Sequence, residues 1–456
     1  MHFIRLWFGI TEPVGRRAYV LSGFGLMLFK YGIEALVIWN LALAVFLPWQ
    51  FLNPVLNVRT EMLQSAPPWV AWGLFIWTLP FLWISLSMSV RRAADAGASP
   101  WLGLLVLVPL VNLVFMLAIC LFPSAAMPRW SPQSGPTRHE GTAMTAVFAL
   151  GISLMIGAAM IVVSVYLLES YGAALFLGTP LLMGAISAYL YNRNSPSSYR
   201  SSMGLGLASV FFGGAALLLF ALEGLICVAM AAPLLLPLGA LGGLMGKAIA
   251  DSTRHPSREY LAAILVLPII AVVEARFASI TEYEVMTVVE IDAPPEVVWK
   301  HVTQFPDLPP PEQWYFRTGI ACPKRARIVG EGVGATRYCE FTTGTFVEPI
   351  TVWQPGHRLA FDVSDQPAPL FELSPYRHVH PPHLDGYLRS NRGEFLLIAL
   401  PDGRTRLEGR TWYEFDMFPQ SYWTLWSDLF IHKIHERVLR HVKQLAENEA
   451  AQSPRP

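Results

Sequence analysis

The chain has 456 residues, 53% of them hydrophobic and 14% charged, against about 25% charged in an ordinary soluble protein. Its 33 basic residues balance 33 acidic ones, so no global charge points to nucleic acid and none is expected as a partner. The few charges gather toward the C-terminus, which implies a membrane region followed by one water-soluble domain.

Residues 1–17 form a short polar-aromatic lead with no small-residue cleavage site, so no removable signal peptide is expected. Residues 18–47 are long enough to cross a bilayer, which takes about 20 residues. They carry Lys30 and Glu34, four apart on one helical face, as a neutralised pair inside a bundle. Residues 69–89 make a second span, with Trp69, Trp72 and Trp77 placed as interfacial aromatics. Arg91, Arg92 and Asp95 follow in a tight loop, and residues 101–122 make a third span broken by Pro109 and Asn112.

Residues 123–141 are rich in Pro, Ser and Gly and mark a module boundary. Two spans are expected over 142–168 and 172–191, and two passes over 203–246 with the turn at Glu223-Gly224. A short last segment covers 260–273. The count is about eight helices in two modules, 1–125 and 142–275, joined by a linker at 126–141. An intramembrane carboxylate is a functional candidate by default, which singles out Glu223. Its place beside Gly224 at a turn suits an interfacial carboxylate equally well. Gly239, Gly242, Gly243 and Gly246 suit close helix packing.

Arg5, Arg16, Arg17, Arg91 and Arg92 favour a cytoplasmic N-terminus. With eight spans the soluble domain is then cytoplasmic too, but Arg193, Arg200, Lys247, Arg254 and Arg258 fall outside. A re-entrant segment around Pro109 and Asn112 brings those charges inside and puts the soluble domain outside. Both arrangements stand.

In the soluble domain, 280–450, Val285, Thr287, Val289 and Ile291 alternate with Met286, Val288 and Glu290, the two-residue period of a strand. Pro294 and Pro295 suit the first turn of a helix, whose apolar face begins at Val297, Val298 and Trp299. A short helix over 313–318 and strands over 324–329, 335–341, 345–353, 358–363, 387–400 and 405–416 follow. Pro401-Asp402-Gly403 closes a hairpin between the last two. Pro419 opens a long helix to about residue 449, and 451–456 is a tail. By parity Leu407, Thr411, Tyr413 and Phe415 share the inner face of the last strand, and Leu359, Phe361 and Val363 also face inward. On the last helix Tyr422, Leu425, Trp426, Leu429, Ile434, Val438 and Val442 recur at three- and four-residue steps and are expected to face the sheet.

The opening strand, Ala293-Pro294-Pro295-Glu296 and Val297-Val298-Trp299 resemble the START-like, helix-grip superfamily, the polyketide cyclase/dehydrase-like group. The resemblance implies an antiparallel sheet wrapped on a long C-terminal helix, with an apolar cavity between them in many members. Phe8-Gly9, Gly15-Arg16-Arg17, Pro80, Arg91-Arg92, Asp95, Gly97, Ser99, Trp101 and Pro109 resemble bacterial domain-of-unknown-function family 805, a small inner-membrane module with an Arg-Arg-Leu-His-Asp-type loop. Here Ala94 stands in the histidine's place and Pro100 in a usual glycine's. The fold expected is therefore an all-α transmembrane bundle followed by an α+β helix-grip domain, in a multi-pass protein of the inner membrane.

The function expected is binding of an apolar small molecule or lipid at the membrane surface, with Tyr413, Trp426, Thr411, Phe361, His383 and Glu394 as candidate ligand-binding residues. The alternatives are a cyclase/dehydrase- or hydrolase-like enzyme using His383, Glu394 and Tyr413 in the same cavity, and a sensor or scaffold with a filled cavity. His378, His380 and His383 are a conceivable zinc set, but two adjacent prolines between them oppose convergence, so no metal is expected. His432 and His435, three apart on one helix face, read as packed histidines. No phosphate loop, nucleophile elbow or dinucleotide fingerprint appears, so no cofactor is expected. The 4 cysteines show no zinc or redox spacing. A Cys322–Cys339 disulfide requires an oxidising compartment, and free buried thiols are the reading preferred.

Overall fold

The computed structural model describes the chain apart from residues 1, 10–11, 53–61, 64–65, 108–110, 126–142, 194–196, 253–259, 277–280, 305–306, 375, 377–378 and 453–456. The expected linker and His378 lie outside the described residues. Five of the described helices are long and apolar enough to cross a membrane: Arg16–Leu41, Thr145–Leu167, Ala174–Asn192, Tyr199–Leu219 and Leu225–Ser252. About eight were expected. The remaining three stretches hold the 28-residue helix Pro68–Asp95, a 3-10 turn Pro100–Leu107 followed by the helix Val111–Leu121, and the 17-residue helix Tyr260–Arg276.

The chain divides into two compact units, each drawing on three stretches. The first comprises Met1–Gly157, Thr179–Val210 and Leu236–Leu267. Lys30 and Glu34 form a buried ion pair there, as their spacing requires. Arg91 and Arg92 are almost fully buried. Arg91 donates to the carbonyls of Leu6 (2.6 Å), Glu12 and Ser87. Arg92 pairs with Asp95 and donates to the Phe122 carbonyl, while Ser124 Oγ donates to Asp95 at 2.6 Å. Arg91, Arg92 and Asp95 were expected in a tight loop but form the last turns of the helix Pro68–Asp95, and there they clasp the N-terminal lead to the end of the third segment. Buried ionised groups persist only with partners, and these two arginines find theirs mostly in backbone carbonyls. The helices Thr179–Asn192, Tyr199–Leu219 and Leu225–Ser252 meet through glycines. A Cβ on Gly242 would strike the Leu181 carbonyl, on Gly246 that of Ala185 and on Gly243 that of Ser202.

The second unit comprises Ala158–Gly178, Phe211–Leu235 and Pro268–Pro456. Its body is a seven-stranded antiparallel sheet in the order β1-β7-β6-β5-β4-β3-β2. The strands are β1 (Glu282–Ile291), β2 (Pro323–Val329), β3 (Thr336–Phe341), β4 (Gly344–Gln354), β5 (Arg358–Asp362), β6 (Leu388–Ala399) and β7 (Thr405–Phe415). Gly330, Gly332 and Gly334 take positive φ in the β2–β3 hairpin, backbone that side chains resist. The helices Pro295–Thr303 and Gln420–Gln452 complete the fold, with a 3-10 turn at Trp314–Thr318. Every expected strand is present, within one residue at each end except β1, which begins three residues before the expected Val285. Cys322 and Cys339 are buried free thiols.

One core joins Ile291, Leu359, Leu397 and Leu407 of the sheet to Val438, Leu439, Val442 and Ala446 of the last helix, and to Val298 and Val302 of the first. A second joins Val285, Tyr413, Phe415 and Trp423 to Val165, Tyr171, Phe176 and Ala231. Hydrogen bonds tie the same parts together: Phe418 N–H to the Tyr171 carbonyl, Leu225 N–H to that of Leu373, Tyr387 Oη to that of Glu169 and Tyr376 Oη to that of Leu219.

The inward face of the last helix differs from expectation in its first half. Trp423, Thr424 and Ser427 are buried, whereas Leu425 and Leu429 are each 44% exposed. Three- and four-residue steps fit two neighbouring stripes here, and the stripe carrying Trp423 packs on Phe176 at 5.1 Å between ring centres. From Ile434 onward the expected stripe holds, with Val438 and Val442 buried. Both sheet edges carry charge. β1 bears Glu282, Glu284 and Glu290, paired to Arg392, Arg410 and Arg404; β2 bears Arg325 and Arg327, paired to Glu340.

Candidate functional site

Between β1, β7 and the last helix lies a row of polar side chains in apolar surroundings. Thr287 Oγ1 is 2.8 Å from His432 Nδ1 and 3.2 Å from His435 Nδ1. Thr411 Oγ1 is 2.8 Å from His435 Nε2. Both ring nitrogens of His435 therefore meet hydroxyls, and burial pushes its imidazole down to about 3, so it is neutral at pH 7. One turn earlier, Tyr413 donates to Asp428 Oδ1 at 2.5 Å and lies 2.9 Å from Ser427 Oγ. Burial raises the Asp428 carboxyl above its ordinary value, and it raises the Tyr413 phenol as well. The strand period places Thr287 beside Val285 and Val289, and Thr411 between Gly409 and Tyr413, on the helix side of the sheet. These threonines and histidines keep partial exposure, while Leu407, Leu439 and Val442 at the other end are fully enclosed.

A second polar group on the same face is the buried Arg337–Glu348 ion pair. The Arg337 guanidinium lies over the rings of Phe361 (4.9 Å) and Phe395 (5.6 Å), and its Nε has no hydrogen-bond partner. Burial raises the Glu348 carboxyl against the opposing pull of Arg337, and Cys339 beside them is pushed up to about 12 by the same burial.

Of the residues singled out in the sequence, Tyr413, Thr411 and Phe361 all face the last helix. Tyr413 is 0% exposed within the core. Trp426 packs at the edge of the same core and stacks on Phe430 at 6.4 Å. Glu394 lies on the opposite face of the sheet, accepting from Arg358 Nε at 2.8 Å and Nη2 at 2.5 Å. It lines a shallow depression of about 290 Å³ with Arg358, Asp362, Arg392, Arg410 and Trp412. His383 is not in the sheet–helix interface either. It meets Glu223 and Cys227 near the turn before the helix Leu225–Ser252. His380 binds Asp385 at 2.9 Å, so His380 and His383 do not converge. Sequence reasoning missed Thr287, Asp428, Arg337 and Glu348; the i,i+4 step from Asp428 to His432, facing a threonine strand, was the available signal.

No curated protein matches the chain. Similar solved structures include a protein from Nitrosospira multiformis (18% identity, 37% of this chain, 100% of that chain, TM-score 0.25). Another is norcoclaurine synthase from Thalictrum flavum in complex with dopamine and hydroxybenzaldehyde (9% identity, 39% and 91%, TM-score 0.26). A third is the Zhui aromatase/cyclase from a Streptomyces species (14% identity, 38% and 95%, TM-score 0.22). Both family resemblances read from the sequence hold: residues 8–130 match the model described as "Protein of unknown function (DUF805)", and residues 283–443 match that of "Polyketide cyclase / dehydrase and lipid transport".

Proposed function

We propose that the helix-grip domain, residues 280–450, binds an amphipathic lipid or apolar small molecule between its sheet and last helix, held at the inner membrane by two helical modules, 1–125 and 142–275, with about eight spans. The observation that carries this reading is the row Thr287, His432, His435 and Thr411: polar, inward-facing and only partly buried, between the two apolar cores of the domain. Apolar sites with a few placed polar groups are how proteins orient small ligands. Tyr413, Trp426 and Phe361 supply apolar walls in this reading, and Thr411 a polar contact. His383 and Glu394 lie away from that space and leave the proposed site.

The enzyme reading is weaker. Its acid/base candidates do not gather: Tyr413 is enclosed in the core, Glu394 is held by Arg358 on the other face of the sheet, and His383 meets Glu223. Mass spectrometry of small molecules retained by the full-length protein in nanodiscs tests binding. Wild type retains a defined amphiphile, and Thr411→Val with His435→Leu loses about tenfold of it, the effect of roughly one hydrogen bond. Wild type that retains nothing above empty nanodiscs would overturn the proposal in favour of a filled scaffold.

A further inference from the structure

Glu223, Cys227, Glu372 and His383 each bring one donor atom to a common point, all four within 4.8 Å of one another. We propose that they bind a zinc-type divalent cation that staples Glu372 and His383, which lie between β5 and β6, to the start of the helix Leu225–Ser252. Cys227 Sγ and His383 Nε2 are 3.0 Å apart. Two donors bound to one zinc through bonds of about 2.0–2.3 Å stand about 3.5 Å from each other, so a small adjustment admits the ion. Glu223 Oε1 meets the other ring nitrogen, Nδ1, at 3.4 Å. A carboxylate in that position fixes the tautomer and orientation of a metal-bound histidine.

Two further observations point to a missing partner. His383 is only 9% exposed, yet its Nε2 meets no partner but the Cys227 thiol, and Glu223 Oε2 is buried with no hydrogen bond at all. Buried polar atoms are almost always satisfied. Among the described residues His383 is also the one basic group that meets either carboxylate. A divalent cation balances this otherwise acidic set.

The scaffold around the donors is already fixed. Glu372 accepts the backbone N–H groups of Ile226 (3.2 Å) and Cys227 (3.3 Å), using oxygens that keep lone pairs for a metal. Any side chain on Gly224 would overlap the Glu372 carboxylate, so only glycine permits this approach. The Tyr171 ring meets the His383 ring edge-on at 5.6 Å. The competing reading is a nucleophilic Cys227 with His383 as base and Glu223 orienting it. Reactive thiols sit in electropositive surroundings, and Glu372 beside this one gives the opposite. Sulfur, nitrogen and two carboxylates suit a borderline cation of the zinc kind.

The test uses the full-length protein, without a histidine tag, in detergent free of chelators. Elemental analysis should find about one zinc per chain. Cobalt added after EDTA treatment should give a thiolate-to-cobalt charge-transfer band. Cys227→Ala and His383→Ala should each lose the zinc and the band, while His380→Ala keeps both. Should those variants fail to fold, Glu372→Gln serves: its one amide oxygen keeps one of the two N–H contacts at the helix start, but zinc retention should fall about tenfold. Wild type without zinc and without the band overturns the proposal. So does zinc unaffected by Cys227→Ala and His383→Ala, which would be adventitious.

Discussion

At the scale of single residues, His435 gives the clearest pH dependence. Its imidazole is pushed below the ordinary 6.5 to about 3, so the fold favours the neutral ring. The stability this contributes is complete above about pH 6.5 and is lost as pH falls through 6.5 toward 3. The slope is at most about 1.4 kcal/mol per pH unit. Thermal melts of the full-length protein from pH 7 to 4 should fall accordingly, and His435→Gln should flatten the curve; an unchanged curve would refute the assignment. Asp428 acts with the opposite sign. Its carboxyl is raised, so its contribution is present below the ordinary 3.8 and is lost as pH rises through the raised value. Tyr413 is fully buried and hydrogen-bonded. Tyr413→Ala should cost about 3–5 kcal/mol and Tyr413→Phe about 1 kcal/mol, read from denaturation midpoints. If Tyr413→Ala leaves ligand retention intact while destabilising the fold, Tyr413 is a core anchor only.

At the scale of elements, the glycine contacts separate two kinds of position on one bundle. Gly246 lies against the Ala185 carbonyl, whereas Gly204 has nothing within 4 Å of where a Cβ would sit. Gly246→Val should lower the melting temperature in detergent sharply, because the helices must part. Gly204→Ala should be neutral or raise it slightly, since alanine is the better helix former by about 1 kcal/mol. Equal effects would remove close packing as the reason for the glycine steps. These steps were legible because glycine at three- and four-residue intervals has few other uses in an apolar helix. The strands were legible for a similar reason: Pro401-Asp402-Gly403 and the Gly330–Gly334 turn punctuate two-residue alternation that little else produces. The first half of the last helix was not. Tyr422, Leu425 and Leu429 make as good a stripe as Trp423, Ser427 and Ile431, and only Phe176, more than 240 residues earlier, decides between them.

At the scale of the whole molecule, the same distance in sequence hides the four-donor cluster. Glu223 and Cys227 are four residues apart, but Glu372 and His383 lie about 150 residues on, in a Pro/His-rich stretch. No spacing rule connects the two pairs; the fold does, through Leu225 N–H on the Leu373 carbonyl. The family-805 stretch behaves differently. Its Arg91-Arg92-x-x-Asp95 residues are close in sequence and end one helix, where they clasp the N-terminal lead and the Phe122 carbonyl. Arg92→Gln should therefore destabilise the protein without altering ligand or zinc content, a result checked by melting temperature alongside the two binding assays.

The charged edges of the sheet have a consequence for many copies sharing one membrane. An unpaired strand offers a row of N–H and C=O groups on which another chain can add, and molecules confined to a plane meet often. β1 is acidic and β2 is basic, so the edges of two copies would attract were those charges free. Instead Glu284 and Glu290 are held by Arg410 and Arg404, and Arg325 by Glu340, within the same chain. Each edge thus spends its charge inward. Replacing Arg404, Arg410 and Glu340 by neutral residues should free both edges, and copies should then associate edge to edge, read as larger assemblies by size-exclusion chromatography in detergent at low salt.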